Sequence, residues 1–266
     1  MKMKINSLTI LISLALGLGL FAQESNLNGY QIMQKVLNKT TWQDMQGDVK
    51  LILTSPRGEQ RIREIVMYSR KRNSDESDML MRFMAPADVK GIGFLTIEHK
   101  ASDDERYLYL PAMRRTKRIA SSGKGGNFMS SDFTYYDIGK PKLNDWKYKR
   151  LEDIQIDGQD CYQIECLPAN EKIEKDTKYG KIIRWIRKDI LVTIKSEYFD
   201  RGQRKWKELT VPGVEKIKNV WFQTNMIMKD NQSGHQSQMV FKNIKADQGL
   251  DASLFTQRYL SRRTKR

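Results

Sequence analysis

Short runs of alternating apolar and polar residues dominate the chain from Gly47 onward. Val49 and Leu51 alternate with polar neighbours, and a similar run returns after the turn Ser55–Gly58. A period of two places successive side chains on opposite faces of an extended chain, so these runs predict β-strands. Asp157–Gly158, between two later runs, is typical of a hairpin turn.

About a dozen strands are predicted in this way. After the first turn they span residues 59–70, 78–84, 94–99, 105–110, 115–120, 147–156, 159–167, 179–188, 191–199, 203–210, 221–229 and 238–245. Many strands with few helices predict one large, strongly curved antiparallel sheet with helices closing one side. Because a curled sheet of this size encloses more volume than its own side chains fill, helices or a ligand must occupy the concave side.

Helical periodicity is confined to short segments. Asn28 can cap a helix that runs to about Asn38, with Ile32, Met33, Val36 and Leu37 on one face. A second helix is predicted over 251–260 and a short lid helix over 86–90, while the glycine-bearing segment 121–142 is predicted to be a loop. Gly91 and Gly93 would then act as hinges for the lid; alternatively, they end a turn before a strand.

The N-terminus has the layout of a secretory signal peptide. Lys2 and Lys4 precede an apolar run over 5–21, and Ala22 offers a small residue for cleavage. An uncleaved anchor is the alternative, but a spanning helix needs roughly 20 apolar residues. We therefore predict a signal peptide over 1–22, a ligand-binding domain over 23–266, and a soluble protein exported to the periplasm.

The formal net charge of +15 narrows the choice of partners. Because an exported protein does not meet cellular nucleic acid, nucleic-acid binding is not the favoured explanation of this charge. Anionic membrane surfaces, anionic lipids or an acidic partner are better interpretations. A basic surface that only maintains solubility is the alternative. Arg114, Arg115, Lys117 and Arg118 form a basic cluster that could meet lipid headgroups or simply be a solvated strand face.

Residues typical of catalytic and metal sites are scarce. The chain has two histidines, His99 and His235, and neither lies in a metal-binding spacing. Cys161 and Cys166 stand five positions apart on one predicted strand, which favours two buried free thiols over a disulfide. The sequence therefore predicts no catalytic residue, no metal and no cofactor.

The methionine and aromatic residues are more informative about function. The chain has 13 methionines, several on predicted strands, and aromatic residues concentrate near the glycine-bearing loop. Methionine is flexible and polarizable, so it suits a surface that must fit varied apolar ligands, although ordinary core packing is the alternative for each residue. The predicted walls and lid of a hydrophobic cavity comprise Met81, Phe83, Ile92, Phe94, Tyr107, Tyr109, Met113, Phe128, Phe133, Met226 and Met228.

Three segments together resemble the LolA-like outer-membrane lipoprotein-sorting proteins. They are Ala85–Leu95, Tyr107–Ile119 and Asn127–Asp137, and the likeness is closest to the longer branch found alongside exporters of the resistance-nodulation-division type. Ser131 stands where that pattern has glycine, and Tyr136 stands where it has an acidic residue. The resemblance implies an unclosed β-barrel with helices over its mouth and acyl chains held between them.

The resemblance also implies a function. We expect a monomeric, non-catalytic carrier that takes a lipid or lipoprotein from an inner-membrane transporter of the resistance-nodulation-division type to an outer-membrane acceptor. A periplasmic sensor of the same fold, which binds lipidated or misfolded ligands and an inner-membrane signalling partner, is the alternative.

Overall fold

The computed structural model describes residues 27–39 and 41–262. The predicted signal peptide over 1–22 lies outside these residues.

The first helix, α1 (Gly29–Asn38), begins where the sequence predicts. The Asn28 side chain accepts a hydrogen bond from the Gln31 backbone N–H, and the Gln31 side chain accepts one from the Asn28 N–H, each 2.9 Å long. This reciprocal capping box satisfies two amides that the helix itself leaves unpaired. Ile32 and Met33 are buried in the main core, so α1 is packed through its predicted apolar face.

One antiparallel sheet of 14 strands forms about half of the described chain. The strands are β1 (Asp44–Thr54), β2 (Gln60–Lys71), β3 (Ser77–Ala85), β4 (Gly93–Ile97), β5 (Glu105–Leu110), β6 (Arg115–Arg118), β7 (Trp146–Arg150), β8 (Ile154–Ile156), β9 (Gln159–Pro168), β10 (Lys181–Arg187), β11 (Val192–Phe199), β12 (Lys205–Ile217), β13 (Val220–Asp230) and β14 (Gln236–Ala246). The expected fold class, mostly β with one antiparallel sheet and a few helices, is confirmed.

The sheet does not close on itself. Its order is β6-β5-β4-β3-β2-β1-β14-β13-β12-β11-β10-β9-β7, with β8 paired to β9. The first and last strands pair near the middle, where Val49 of β1 lies opposite Phe241 of β14. The two edge strands, β6 and β7, are consecutive in sequence but have no ladder between them in the part of the chain described. The segment 119–145 joins these edges, which makes the barrel an unclosed one.

Each face of the sheet carries its own hydrophobic cluster. On β3 and β4, Met81 and Phe94 belong to the main core, whereas Leu80 and Leu95 belong to a smaller cluster with Phe255 and Leu260. Neighbouring residues point to opposite faces, as strand geometry requires. We call the face toward the main core the inner face and the other the outer face. The C-terminal segment therefore covers the outer face of β3, β4 and β5.

Three further helices are short: α2 (Tyr135–Ile138), α3 (Glu171–Thr177) and α4 (Gln257–Leu260). Helix α3 is missing from the sequence prediction because Ile173 is its only buried hydrophobic residue, which leaves no apolar stripe to detect. Its start is nonetheless marked, since the Asn170 side chain accepts a hydrogen bond from the Ile173 N–H at 3.1 Å.

Two predicted helices differ from the structure. The predicted lid over 86–90 is a run of turns, in which the Val89 N–H donates to the Pro86 carbonyl, and Gly91, at φ +83°, turns the chain back so that its N–H reaches Phe83. The predicted helix over 251–260 is a 3₁₀ turn (Ala252–Phe255) followed by α4, because Thr256 is extended and caps α4.

The strand predicted over 147–156 is likewise two strands, β7 and β8, separated by residues 151–153. At this break the Leu151 N–H still donates to Gln163 of β9 at 2.8 Å, and Asp153 accepts hydrogen bonds from Arg150. Cys161 and Cys166 of β9 are buried and free, as predicted.

Candidate functional site

A central cavity of about 500 Å³ lies between the inner face of the sheet and helices α1 and α2. Met33, Val36 and Leu37 of α1 line one wall, and Tyr136 and Ile138 of α2 line another. The volume falls within the range of roughly 300–1,000 Å³ that is typical of small-molecule sites. The sheet, whose concave side was expected to hold helices or a ligand, therefore keeps space beneath its helices.

Methionine is the most frequent residue type along this cavity. The seven methionines that line it come from α1 and five strands: Met33, Met45, Met67, Met79, Met81, Met226 and Met239. Unbranched thioether side chains can change rotamer to follow the shape of an apolar guest. The sequence-based expectation of methionine on strands around a pocket thus matches the geometry of this wall.

The predicted site residues are divided among several places. Met81, Phe133 and Met226 line the cavity. The residues placed in the main core without lining the cavity are Phe83, Ile92, Phe94, Phe128 and Met228. Tyr107 and Tyr109 belong to the cluster on the outer face, and Met113 is 64% exposed at the tip before β6. Ligand binding by any of these residues stays a prediction.

The aromatic residues of the glycine-bearing segment are packed rather than free. The Phe128 ring is fully buried and lies 5.2 Å from the Phe94 ring, 5.6 Å from the Tyr135 ring and 6.2 Å from the Phe83 ring, measured between centroids. The contacts with Phe94 and Tyr135 are edge-to-face, and such contacts favour one fixed arrangement. Phe128 therefore anchors the segment between β6 and β7 to the inner face.

The two proposed hinge glycines have different surroundings. Gly91 occupies a left-handed conformation that favours glycine. Gly93 is the first residue of β4, and a Cβ there would stand 2.5 Å from Leu260 Cδ1. Gly93 thus provides the space in which Leu260 of α4 packs, and a hinge role for either glycine stays a prediction.

A cluster of catalytic-type residues also holds the segment between β6 and β7. Asp132 Oδ2 accepts a hydrogen bond from Ser237 Oγ at 2.6 Å and lies 2.7 Å from His235 Nδ1. The order is unlike that of a nucleophile–base pair, because the carboxylate stands between the serine and the histidine. Ser237 is fully buried, and Lys207, also fully buried, donates to the Asp132 carbonyl at 2.6 Å. The contacts fasten this segment to β12 and β14.

The cavity wall includes a charged residue that sequence reasoning missed. Arg184 of β10 lines the cavity, and its cross-strand neighbours are Ile164 and Ser196. Ile182 and Ile186, two positions to either side, are buried in the main core. A charged residue within an alternating series of inward-facing isoleucines is the signal that could have revealed it.

The titratable groups around the Arg184 guanidinium are neutral at neutral pH. They are the hydroxyls of Tyr136, Tyr148 and Tyr198 and the thiol of Cys166. Burial raises the pKa of each hydroxyl above its ordinary value and that of the Cys166 thiol to about 11. At neutral pH these groups therefore offer hydrogen bonds but no negative charge.

Within 27–39 and 41–262, no helix combines the length and hydrophobicity needed to cross a bilayer. In the same ranges, no three histidine, cysteine or acidic side chains stand close enough together to hold a metal ion.

Comparison with known proteins places this architecture in a family. A family model described as "-like: Uncharacterized protein" matches residues 75–262. The chain belongs to that family. The matched region begins just before β3 and ends with the C-terminal segment, so it includes the sheet from β3 to β14 and most of the cavity wall. None of the curated proteins is a significant match to the sequence.

Solved structures show the same fold. A Vibrio parahaemolyticus domain whose name assigns it provisionally to outer membrane lipoprotein sorting is 28% identical, with a TM-score of 0.82 over 88% of this chain and 98% of that one. A DUF1329 family protein from Desulfovibrio piger is also 28% identical, with a TM-score of 0.81 over 87% and 97% of the two chains. A LolA superfamily protein from Nitrosomonas europaea is 18% identical, with a TM-score of 0.68 over 88% and 99%. The fold is LolA-like.

Proposed function

We propose that this protein is a periplasmic carrier that binds the acyl chains of a lipid or lipoprotein in the central cavity. The cavity is the observation that carries the proposal: about 500 Å³ of space, lined by seven methionines, beneath the helices of a LolA-like sheet. An apolar void of this size favours a guest with hydrocarbon over bulk water.

The route is part of the same proposal. The signal-peptide pattern over 1–22 and the lipoprotein-sorting name of the Vibrio relative support a periplasmic location. The proposed donor is an inner-membrane transporter of the resistance-nodulation-division type, and the proposed acceptor lies at the outer membrane. The carrier adds no chemistry to the cargo, since its role is to shield hydrocarbon from water.

A lipid-transfer assay tests this function. The probe is pyrene-labelled phosphatidylglycerol in donor vesicles, with unlabelled acceptor vesicles, and the purified, delipidated protein should accelerate its transfer. Met226→Trp should reduce transfer to near the spontaneous rate, because Met226 lines the cavity and indole is bulkier than the thioether. The matched control is Met84→Trp, the same substitution on β3 at a position outside the cavity.

Each outcome has a definite meaning. Overpacking costs about 1–3 kcal/mol, so the folded fraction of both variants is first measured by urea denaturation. Wild-type protein that leaves the transfer rate unchanged and takes up no probe contradicts the proposal. Wild-type protein that takes up the probe but releases it to neither membrane indicates a sensor instead of a carrier.

The basic strand β6 supports contact with an anionic membrane. Arg114, Arg115, Lys117 and Arg118 are exposed, and Met113 projects beside them with 64% of its surface accessible. No ion pair within the described residues engages these four side chains. Cations near an anionic bilayer surface contribute about 1 kcal/mol each.

The double variant Arg115→Ala with Lys117→Ala should therefore weaken binding to phosphatidylglycerol-rich vesicles by roughly tenfold or more. The expected loss shrinks at high salt because the interaction is screened. The control is Lys242→Ala with Lys245→Ala, which removes two exposed lysines from the central strand β14. Equal losses in a vesicle co-sedimentation assay would assign binding to total charge rather than to β6.

A further inference from the structure

Arg184 is a cation on the wall of an otherwise largely apolar space. Its guanidinium remains protonated at any pH that a folded protein survives. Transfer of such a charge from water is costly unless an anion and hydrogen-bond acceptors replace the lost hydration. The chain supplies acceptors, namely the tyrosine hydroxyls and the Cys166 thiol, but these are uncharged.

The carboxylate of Asp137 lines the same cavity, but other groups already bind it. Asp137, in α2, accepts a hydrogen bond from the Thr134 N–H at 2.7 Å and another from the Tyr179 hydroxyl at 2.8 Å. The negative charge of Asp137 also faces the buried ammonium of Lys207. Among the ion pairs of residues 27–39 and 41–262, none includes Arg184, so this cation on the cavity wall has no acidic partner there.

We propose that the cavity binds an amphiphile whose anionic head, a carboxylate or a phosphate, pairs with Arg184 while its hydrocarbon lies along the methionine wall. This inference rests on the proposed lipid-binding function and specifies its ligand class. A guanidinium presents paired N–H donors that match the two oxygens of either anion. A neutral acylated cysteine of a lipoprotein offers no such charge, so the inference favours a free acidic lipid as cargo.

A comparison of binding affinities separates the contribution of the anionic head group from that of the hydrocarbon chain of the ligand. The probes are dodecanoate, dodecyl phosphate and dodecanol, which share one hydrocarbon chain, titrated calorimetrically into delipidated wild-type protein below their micelle-forming concentrations. At least one anionic probe should bind about tenfold or more tightly than dodecanol, because charge-assisted hydrogen bonds are the stronger ones. Comparison of the two anions then shows whether the head is a carboxylate, as in a fatty acid, or a phosphate, as in a phospholipid.

Variants at Arg184 assign the preference to this residue. Arg184→Met should remove the preference for anions, so that dodecanoate and dodecyl phosphate bind no more tightly than dodecanol, while Arg184→Lys should retain part of the preference. The control Lys140→Met removes the same charge from another residue that lines the cavity, on the exposed segment before β7, and should keep the preference.

Three results would count against the inference or its basis. Equal affinities of all three probes for wild-type protein overturn the anion inference and leave lipid binding intact. A preference that persists in Arg184→Met overturns the assignment to Arg184. Failure of every probe to bind, dodecanol included, overturns the proposed function itself. The wild-type comparison keeps the anion inference testable even if Arg184→Met does not fold.

Discussion

Replacement of Asp104 by alanine is expected to lower the free energy of unfolding by about 3–5 kcal/mol, the cost of leaving a buried charge without its partner. The side chains of Asp104 and Arg106 are each only 6% exposed, and Asp104 Oδ2 lies 2.8 Å from an Arg106 guanidinium nitrogen. Asp104 Oδ1 also lies 3.0 Å from Lys142 Nζ and accepts a hydrogen bond from the His99 N–H at 3.1 Å. The measurement is urea denaturation followed by circular dichroism.

The neighbouring aspartate is a matched control. Asp103 pairs with Lys172 at 3.6 Å, but these side chains are 59% and 60% exposed, so solvent screens the interaction. Asp103→Ala should therefore change the free energy of unfolding by less than about 1 kcal/mol. Similar losses for the two adjacent substitutions would show that burial does not determine the value of the Asp104 pair.

Phe128→Ala is the other substitution with a large expected effect, a loss of about 3–5 kcal/mol in the free energy of unfolding. The ring is fully buried against Phe83, Phe94 and Tyr135, so truncation leaves a void among three aromatic neighbours. The sequence places Phe128 on a binding loop, whereas its position in the structure predicts an effect on stability first. Thermal and urea unfolding measure that effect.

Met226, on the cavity wall, should respond to substitution differently from Phe128. Met226 is only partly buried because part of its surface faces the cavity, so Met226→Ala should cost less stability than Phe128→Ala. Met226→Ala should change the affinity for an acyl probe, while the folded fraction of Phe128→Ala should retain it. The reverse pattern would place the binding surface at Phe128 rather than along the methionine wall.

Strand periodicity determines how much of the fold the sequence reveals. The predicted runs match the strands closely wherever a run is bounded by turn residues, as β2 and β9 show. The faces are harder to assign on β3, β4 and β5, because the C-terminal segment covers their outer side. Tyr107 and Leu108 are then both buried, and an apolar run buried on both faces no longer shows which residues point inward.

The sequence predicts an apolar cavity wall, but it identifies only some of the residues that line the cavity. Methionine content on strands indicates an adaptable apolar wall, and Met81 and Met226 indeed lie on it. Arg184 escapes prediction because a charged strand residue ordinarily faces water, and only the burial of Ile182 and Ile186 places it inside. Which aromatic residues pack together depends on contacts between distant segments, which no local pattern contains.

The absence of a ladder between β6 and β7 in the described chain has a mechanical consequence. Elsewhere, spreading the barrel would break a continuous row of backbone hydrogen bonds between strands, whereas along this seam no such row exists and the separate contacts of the segment 119–145 would be disturbed instead. The barrel is thus most easily opened between β6 and β7. A ligand larger than the cavity would therefore be accommodated by separation of β6 from β7, with the strand pairing of the rest of the sheet left intact.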